Sequence, residues 1–199
     1  MELYYTNISA FSRKCRILAR ELNVIKDIKE IITTMRTPES LIMSINPTGK
    51  VPALITKEKQ LLTESYAICN YLESIAKTNI NSDNNLDNWT INGYETVACQ
   101  VLESIVYRSI EKKNKPKAFI HKPTIEYEQF KVNRALDFLE EKAYQFSHKI
   151  NRVQITICLA FNTMQKNFPE DNWRNNRPML AEISDNLNQR RSFIETEGK

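Results

Sequence analysis

Three short stretches of this 199-residue chain place polar groups where they can bind an anion or a peptide. Ser9 immediately precedes a predicted helix, and Ser65 begins another. Both hydroxyls therefore stand beside the unpaired N–H groups of a helix N-terminus, which favour negative charge. Between them, Pro52 interrupts the apolar run VPALI, which otherwise predicts a strand. These groups suit the binding of an anion, and no residue pattern indicates a Ser-His-Asp triad.

Each of these features also has a purely structural interpretation. Pro52 lacks an N–H, so it fits an edge strand or a bulge as well as a backbone turned toward a ligand. Ser9 and Ser65 can simply cap their own helices. Glu64 then is only an acid of the first helical turn, and Lys50 is a solvated surface lysine.

The elements that must position these residues follow from hydrophobic periodicity. Up to about Ala76 the patterns predict the order β-α-β-α-β-β-α. Strands are predicted at 2–5, at 26–32 and in the stretches VPALI and QLLTE, and helices begin near Ala10, at Thr37-Pro38-Glu39 and at Ser65. The first two strands are joined through a helix and should be parallel, whereas the last two form an antiparallel hairpin.

The rest of the chain reads as helix. The polar stretch 78–88 predicts a linker, which gives an α/β domain at 1–77 and an all-α domain at 89–199. At the start of the third helix of that domain, Asn151 and Gln154 have the spacing of a capping box, in which each side chain bonds the other residue's backbone.

Composition limits the classes of function. Apolar residues make up 41% and charged residues 26% of the chain, and the net charge of +4 is too mild for a nucleic-acid footprint. No apolar stretch reaches the length of a membrane span, and the N-terminus does not resemble a signal peptide. The four cysteines are widely spaced, without a C-x-x-C pair or metal-like clustering, which indicates reduced thiols in the cytoplasm.

Read together, three motifs resemble the glutathione S-transferase family, in particular its serine-type bacterial members. They are YYTNISAFSRKCRIL near the start, NPTGKVPAL in the middle and LLTESYAICNYL after it. The resemblance extends over essentially the whole chain. It implies a thioredoxin-like N-terminal domain followed by a helical-bundle C-terminal domain. The chain departs from the family at Ala10, where members usually have proline.

The resemblance also implies a role for each motif residue. Ser9 would donate a hydrogen bond to the thiolate of glutathione, with Tyr5 as the alternative donor. A cis Val51-Pro52 bond would present the Val51 backbone to the cysteinyl part of glutathione. Ser65 would hold the γ-glutamyl carboxylate and Glu64 the ammonium group, while Lys50 would pair with the glycine carboxylate.

On this resemblance we expect a cytoplasmic, homodimeric enzyme of detoxification. It would conjugate glutathione, its substrate, to a small hydrophobic electrophile, with no metal or further cofactor and no nucleic-acid or membrane partner. The alternative is a non-catalytic scaffold of the same fold that binds a protein partner such as RNA polymerase. A thiol-disulfide reductase is disfavoured, because no C-x-x-C is present and serine occupies position 9.

Overall fold

The computed structural model describes residues 1–82, 86–146 and 149–198, except for the side chains of Asn114 and Lys117. The chain divides into two units, Met1–Asn79 with Arg190–Lys199, and Ile80–Gln189. The predicted linker, 78–88, lies partly outside the described residues. The sequence prediction carried the helical domain to the end of the chain, whereas residues 190–198 pack in the first unit.

The first unit is built on a four-stranded mixed sheet. Its strands are β1 (Glu2–Tyr5), β2 (Lys29–Ile32), β3 (Ala53–Ile55) and β4 (Leu61–Thr63), in the spatial order β2-β1-β3-β4. β1 and β2 are parallel, whereas β3 is antiparallel to both β1 and β4, as predicted. β2 is shorter than expected, because residues Ile25–Asp27 form a 3₁₀ turn.

Three helices complete the predicted β-α-β-α-β-β-α order: α1 (Ala10–Glu21), α2 (Leu41–Ile45) and α3 (Ser65–Ala76). The predicted start of α2 at Thr37 is wrong. The Thr37 carbonyl accepts hydrogen bonds from both the N–H and the hydroxyl of Ser40, at 3.1 and 2.8 Å. These bonds close a turn, so the helix begins only at Leu41.

The two faces of the sheet have separate apolar cores. On one face, Tyr4 and Ala53 pack with Ile42 of α2. Leu3 and Leu54 alternate with them along the strands and are fully buried on the other face. Helices α1 and α3 pack against each other and contact the strands. Tyr4 and Tyr5 therefore project to opposite faces, as period-two alternation requires.

Helix α1 is buried on nearly every side. Besides its apolar residues, Ser12, Lys14 and Arg16 are also buried. A short helix near the end of the chain, α8 (Arg191–Glu195), packs against it. An amphipathic helix on a sheet normally leaves one face in water, and α8 and the residues flanking it cover part of that face.

The second unit is all-α, as predicted. It contains α4 (Asn88–Asn114), α5 (Lys122–Lys142), α6 (Arg152–Asn167) and α7 (Pro178–Asn188). Helix α6 packs against α4 and α7, and α5 packs against α4. The capping box of α6 is confirmed: the Gln154 N–H donates to Asn151 Oδ1 at 2.9 Å, and the Asn151 N–H donates to Gln154 Oε1 at 3.1 Å.

The sequence analysis also led us to expect reduced cysteines and no membrane-spanning segment. All four cysteines lie in the described part of the chain and none forms a disulfide. None of the described helices is both long and apolar enough to cross a membrane.

Candidate functional site

The loop after β1 places Ser9 at the start of α1. Ser9 occupies the N-cap position with φ −84° and ψ 108°, and its own N–H donates to the Thr6 carbonyl at 3.2 Å. Its Oγ accepts the Ser12 N–H at 3.1 Å and the Ser12 hydroxyl at 3.0 Å. A hydroxyl has two acceptor positions and one proton. With both bonds accepted, Ser9 keeps its proton for a ligand.

Tyr5, the alternative donor, lies in a different environment. The guanidinium of Arg16 stacks over the Tyr5 ring, 4.1 Å from its centroid. Arg16 in turn donates to Glu30 Oε1 at 2.7 Å and to the Thr196 carbonyl at 3.3 Å. Arg16 lies seven residues, or about two helical turns, beyond Ser9. The Tyr5 ring is thus held by one cation of α1, Arg16.

The turn before β3 contains the cis peptide bond that the resemblance implies, between Val51 and Pro52. Pro52 is buried and Val51 is half-buried. Among the residues that the structure describes, no protein group hydrogen-bonds the N–H or the C=O of Val51. Backbone polar groups that are not paired internally need another partner. The Val51 backbone can therefore pair with an extended ligand.

Asn46 organises this turn. Its Nδ2 donates to the Lys50 carbonyl at 2.8 Å, and its Oδ1 accepts the N–H and the hydroxyl of Thr48 at 3.1 and 3.0 Å. The Gly49 N–H donates to the Asn46 carbonyl at 2.8 Å, with Gly49 at φ +63°. Only 1% of Asn46 is exposed. The side chain of Lys50 is exposed to solvent beside the turn.

The stretch after β4 starts α3 in an unusual conformation. Glu64 has φ 66° and ψ 131° and is exposed. A non-glycine residue at positive φ is strained, and such strain concentrates at functional sites. Ser65 is buried and is the first helical residue, so its hydroxyl does not act as the N-cap of α3. Within the described residues, the N–H groups of Ser65 and Ala67 have no protein partner.

Sheet topology brings these three segments together. Tyr4 of β1 is opposite Ala53 of β3, which is opposite Thr63 of β4. The Ser9 loop follows β1, the Val51 turn precedes β3 and Ser65 follows β4, so all three segments leave the sheet at the same end. Neighbouring strands are about 4.8 Å apart, so the three segments, which belong to the adjacent strands β1, β3 and β4, form a row roughly 10 Å wide. That width suits a short peptide.

Arg13, one helical turn beyond Ser9, binds residues near the end of the chain. Its Nη2 donates to the Phe193 carbonyl at 2.9 Å, and its Nε donates to Thr196 Oγ1 at 3.4 Å. Sequence reasoning missed this contact and the Ser9–Ser12 pair. The i, i+3 spacing of the two serines could have predicted their contact, whereas no sequence pattern indicates the contact of Arg13 with Phe193.

The arrangement combines a hydroxyl with a spare proton, a strand-like backbone segment and an open helix N-terminus. These groups can bind an extended anionic ligand and stabilise negative charge near Ser9. Across the described ranges, no group of three or more His, Cys, Asp or Glu side chains could hold a metal ion.

Comparisons with known proteins find similarity to glutathione S-transferases. Residues 8–75 match the family model described as glutathione S-transferase, N-terminal domain. The chain is 28% identical over 202 aligned positions to an uncharacterized GST-like protein, YibF, of Escherichia coli K12, covering 99% of this chain and 98% of that one.

Two solved structures share the fold over the whole chain. One is a glutathione S-transferase from Methylobacillus flagellatus with glutathione bound, at a TM-score of 0.88 and 22% identity, covering 100% of this chain and 99% of that one. The other is a glutathione transferase family member from Pseudomonas fluorescens Pf-5 with bound S-(propanoic acid)-glutathione. It has the same TM-score and identity and covers 100% of both chains.

Proposed function

We propose that this chain, whose residues 8–75 match the glutathione S-transferase N-terminal domain, is a member of that family that binds glutathione, stabilises its thiolate and conjugates it to a small hydrophobic electrophile. The alignment of Ser9, Val51 and Ser65 at one end of the sheet carries this proposal. The two solved structures of the same fold described above hold glutathione or a conjugate of it.

The chemical groups of glutathione match, in order, the three segments at this end of the sheet. The open N–H groups at the start of α3 and the Ser65 hydroxyl take the γ-glutamyl carboxylate, and Glu64 faces the ammonium group. The Val51 N–H and C=O pair with the cysteinyl backbone, as in the addition of a strand. Lys50 reaches the glycine carboxylate. The cysteinyl sulfur then lies toward Ser9.

Ser9 acts as a hydrogen-bond donor and not as a nucleophile. A cysteine thiol titrates near pH ~8.5, and each unit of lowering requires about 1.4 kcal/mol of thiolate stabilisation. A hydrogen bond to a charged group contributes roughly 1.5–3 kcal/mol. The thiol releases its proton to solvent on binding. The thiolate sulfur then attacks the electrophilic carbon and forms the S–C bond. In a substitution the leaving group departs with the electron pair of its bond to that carbon. In an addition the π bond of the electrophile breaks, and the neighbouring carbon takes a proton from solvent.

Calorimetric titration with glutathione in two buffers of different ionisation enthalpy tests the proposal. The difference between the two binding enthalpies, divided by the difference between the two ionisation enthalpies, gives the number of protons released per site. Binding with proton release supports a thiolate site, and turnover of model electrophiles should follow. Binding without release would remove the thiolate step. No binding would overturn the proposal and favour the scaffold that binds a protein partner such as RNA polymerase.

The assembly and the cellular setting are part of the same proposal. We expect a cytoplasmic homodimer that acts in detoxification, with glutathione as its substrate and no further cofactor. Large apolar side chains are exposed on two helices: Tyr66 and Ile75 on α3, and Trp89 at the start of α4. A second copy of the chain would cover such residues. Light scattering measures the mass in solution, and a monomer would contradict this expectation.

A further inference from the structure

Residues 190–198, here named the C-terminal strap, are hydrogen-bonded to α1 between Arg13 and Glu21. At one end, Arg190 and Ser192 donate to Glu21, at 2.6 and 2.5 Å for the shortest bonds. Near the other end, Arg13 donates to the Phe193 carbonyl at 2.9 Å. Phe193 and Thr196 are each only 1% exposed. The strap is therefore a packed part of the first unit.

The strap also reaches the loop that carries Ser9. A Cβ on Gly198 would stand 2.4 Å from the carbonyl oxygen of Asn7 and 3.2 Å from its carbonyl carbon. Non-bonded atoms do not approach so closely, so only glycine fits at this position without movement. Gly198 and Asn7 are thus in direct backbone contact, and Asn7 is two residues before Ser9.

The strap consequently touches the chain on both sides of Ser9. On the N-terminal side of Ser9, Gly198 contacts the backbone of Asn7. On the C-terminal side of Ser9, Arg13 donates its backbone N–H to the Ser9 carbonyl at 2.9 Å, while its guanidinium holds Phe193. The loop between these points has little other support, because Asn7 and Ile8 are both exposed, Ile8 by 79%.

We propose that the C-terminal strap positions Ser9 for the thiol, with Gly198 and Arg13 as positioning residues that act through Asn7 and through the first turn of α1. The inference rests on the proposed function. The strap does not touch the ligand. It fixes the direction in which the Ser9 hydroxyl donates, and hydrogen-bond strength falls steeply with misalignment.

The Gly198→Ala variant tests this inference against a matched control. The added methyl group forces Gly198 and Asn7 apart. Gly93→Ala makes the same chemical change in α4, where a Cβ would meet nothing within 4 Å. For wild type and both variants, we would measure the pKa of the bound glutathione thiol by ultraviolet absorbance of the thiolate. Amide shifts of residues 7–10 are recorded without ligand.

We expect Gly198→Ala to move the amide signals of Asn7 to Ala10 and to raise the pKa of the bound thiol by about 0.5–1 unit. That is a three- to tenfold lower ratio of thiolate to thiol. Glutathione affinity well below the pKa of the bound thiol, where the thiol form binds, should change less than about twofold, or roughly 0.4 kcal/mol. Affinity well above that pKa should fall by the same three- to tenfold, because a raised pKa of the bound thiol means weaker binding of the thiolate. Gly93→Ala should leave both measurements at wild-type values.

Three outcomes would count against the proposals, and they are separable. A thiol pKa unchanged in Gly198→Ala overturns the positioning role, whether or not the amide signals move, while wild-type binding stays intact. An equal pKa change in Gly93→Ala overturns it too, because the effect would then be a general one. Wild-type protein that binds no glutathione overturns the proposed function itself and, with it, this inference.

Discussion

The Oγ of Ser9 lies 3.0 Å from the Oγ of Ser12, and it also accepts the Ser12 N–H at 3.1 Å. Ser12 is fully buried, so its hydroxyl cannot turn to water. The two accepted bonds fix the orientation of Ser9 and leave its proton for a third partner. The residue that orients the Ser9 hydroxyl is thus buried one helical turn away from it.

Replacing Ser9 by alanine should raise the pKa of bound glutathione without abolishing binding. The lost bond to a charged sulfur corresponds to roughly 1.5–3 kcal/mol, or about one to two pKa units. Tyr5→Phe is the matched control, because it removes the other candidate hydroxyl while keeping its ring under Arg16. Absorbance titration of the thiolate gives both values. A raised pKa in Tyr5→Phe alone would assign the role to Tyr5.

Ser12→Ala should raise the thiol pKa by a smaller amount, about half a unit. The variant removes a neutral hydrogen bond of about 1 kcal/mol that orients Ser9 and does not reach the sulfur. The double variant Ser9→Ala/Ser12→Ala provides the control. If Ser12 acts through Ser9, the double variant has the same thiol pKa as Ser9→Ala alone. Additive shifts would show instead that Ser12 acts on the sulfur independently.

Ser65→Ala should weaken glutathione binding about tenfold, because a carboxylate loses a hydroxyl donor at the N-terminus of α3. The thiol pKa should stay at its wild-type value. Ser74→Ala is the control: this serine is exposed on the same helix, and its hydroxyl donates to the Tyr71 carbonyl at 2.7 Å. Calorimetry compares the dissociation constants. Equal affinity in the two variants would exclude Ser65 as the carboxylate anchor.

Asn46→Ala should lower both stability and glutathione affinity. It leaves the Lys50 carbonyl and the Thr48 N–H without partners, at a cost of about 1–3 kcal/mol in the free energy of unfolding. Asn46→Asp keeps the two acceptor bonds to Thr48, but it loses the donation to the Lys50 carbonyl and buries a carboxylate beside it. Urea unfolding measures stability and calorimetry measures affinity. Wild-type affinity in both variants would show that the turn holds the Val51 backbone without Asn46.

Acid should weaken the packing of β2 on α1 through Glu30. Burial acts to raise the pKa of Glu30, but hydrogen bonds from Arg20 and Arg16 outweigh it and hold this pKa below its ordinary value of 4.5. A lowered folded-state pKa means stability that is fully present above 4.5 and lost as the pH falls through the folded value. Urea midpoints measured from pH 4.5 downward should therefore fall more steeply for wild type than for Glu30→Gln. Parallel curves would contradict the assignment.

Much of the fold was readable because its signals are local. The strand and helix order follows from hydrophobic periodicity, and the Asn151–Gln154 box is encoded within four residues. The start of α2 was mispredicted because Thr37, Pro38 and Glu39 have the residue types of a helix N-terminus, whereas Ser40 uses the Thr37 carbonyl to close a turn. Propensity describes what residues favour on average, and such competing bonds decide the individual case.

The candidate site was predicted residue by residue, but not its supports. Ser9, Val51 and Ser65 belong to short motifs, whereas their alignment depends on the order β2-β1-β3-β4, which places β3 beside β1. The contact of Arg13 with Phe193 spans 180 residues, and no local pattern records such a pairing. Whether these motif residues bind the ligand stays a prediction for the variants above.

The distance along the chain between Arg13 and Phe193 has a consequence for synthesis. The helical unit is one continuous segment, Ile80–Gln189, so the ribosome delivers all of it before residue 190 appears. The first unit starts earlier but needs Arg190 for Glu21 and Phe193 for Arg13. During synthesis, all residues of the helical unit are therefore available before those of the first unit are complete. The loop that bears Ser9 receives its contact with Gly198 later still.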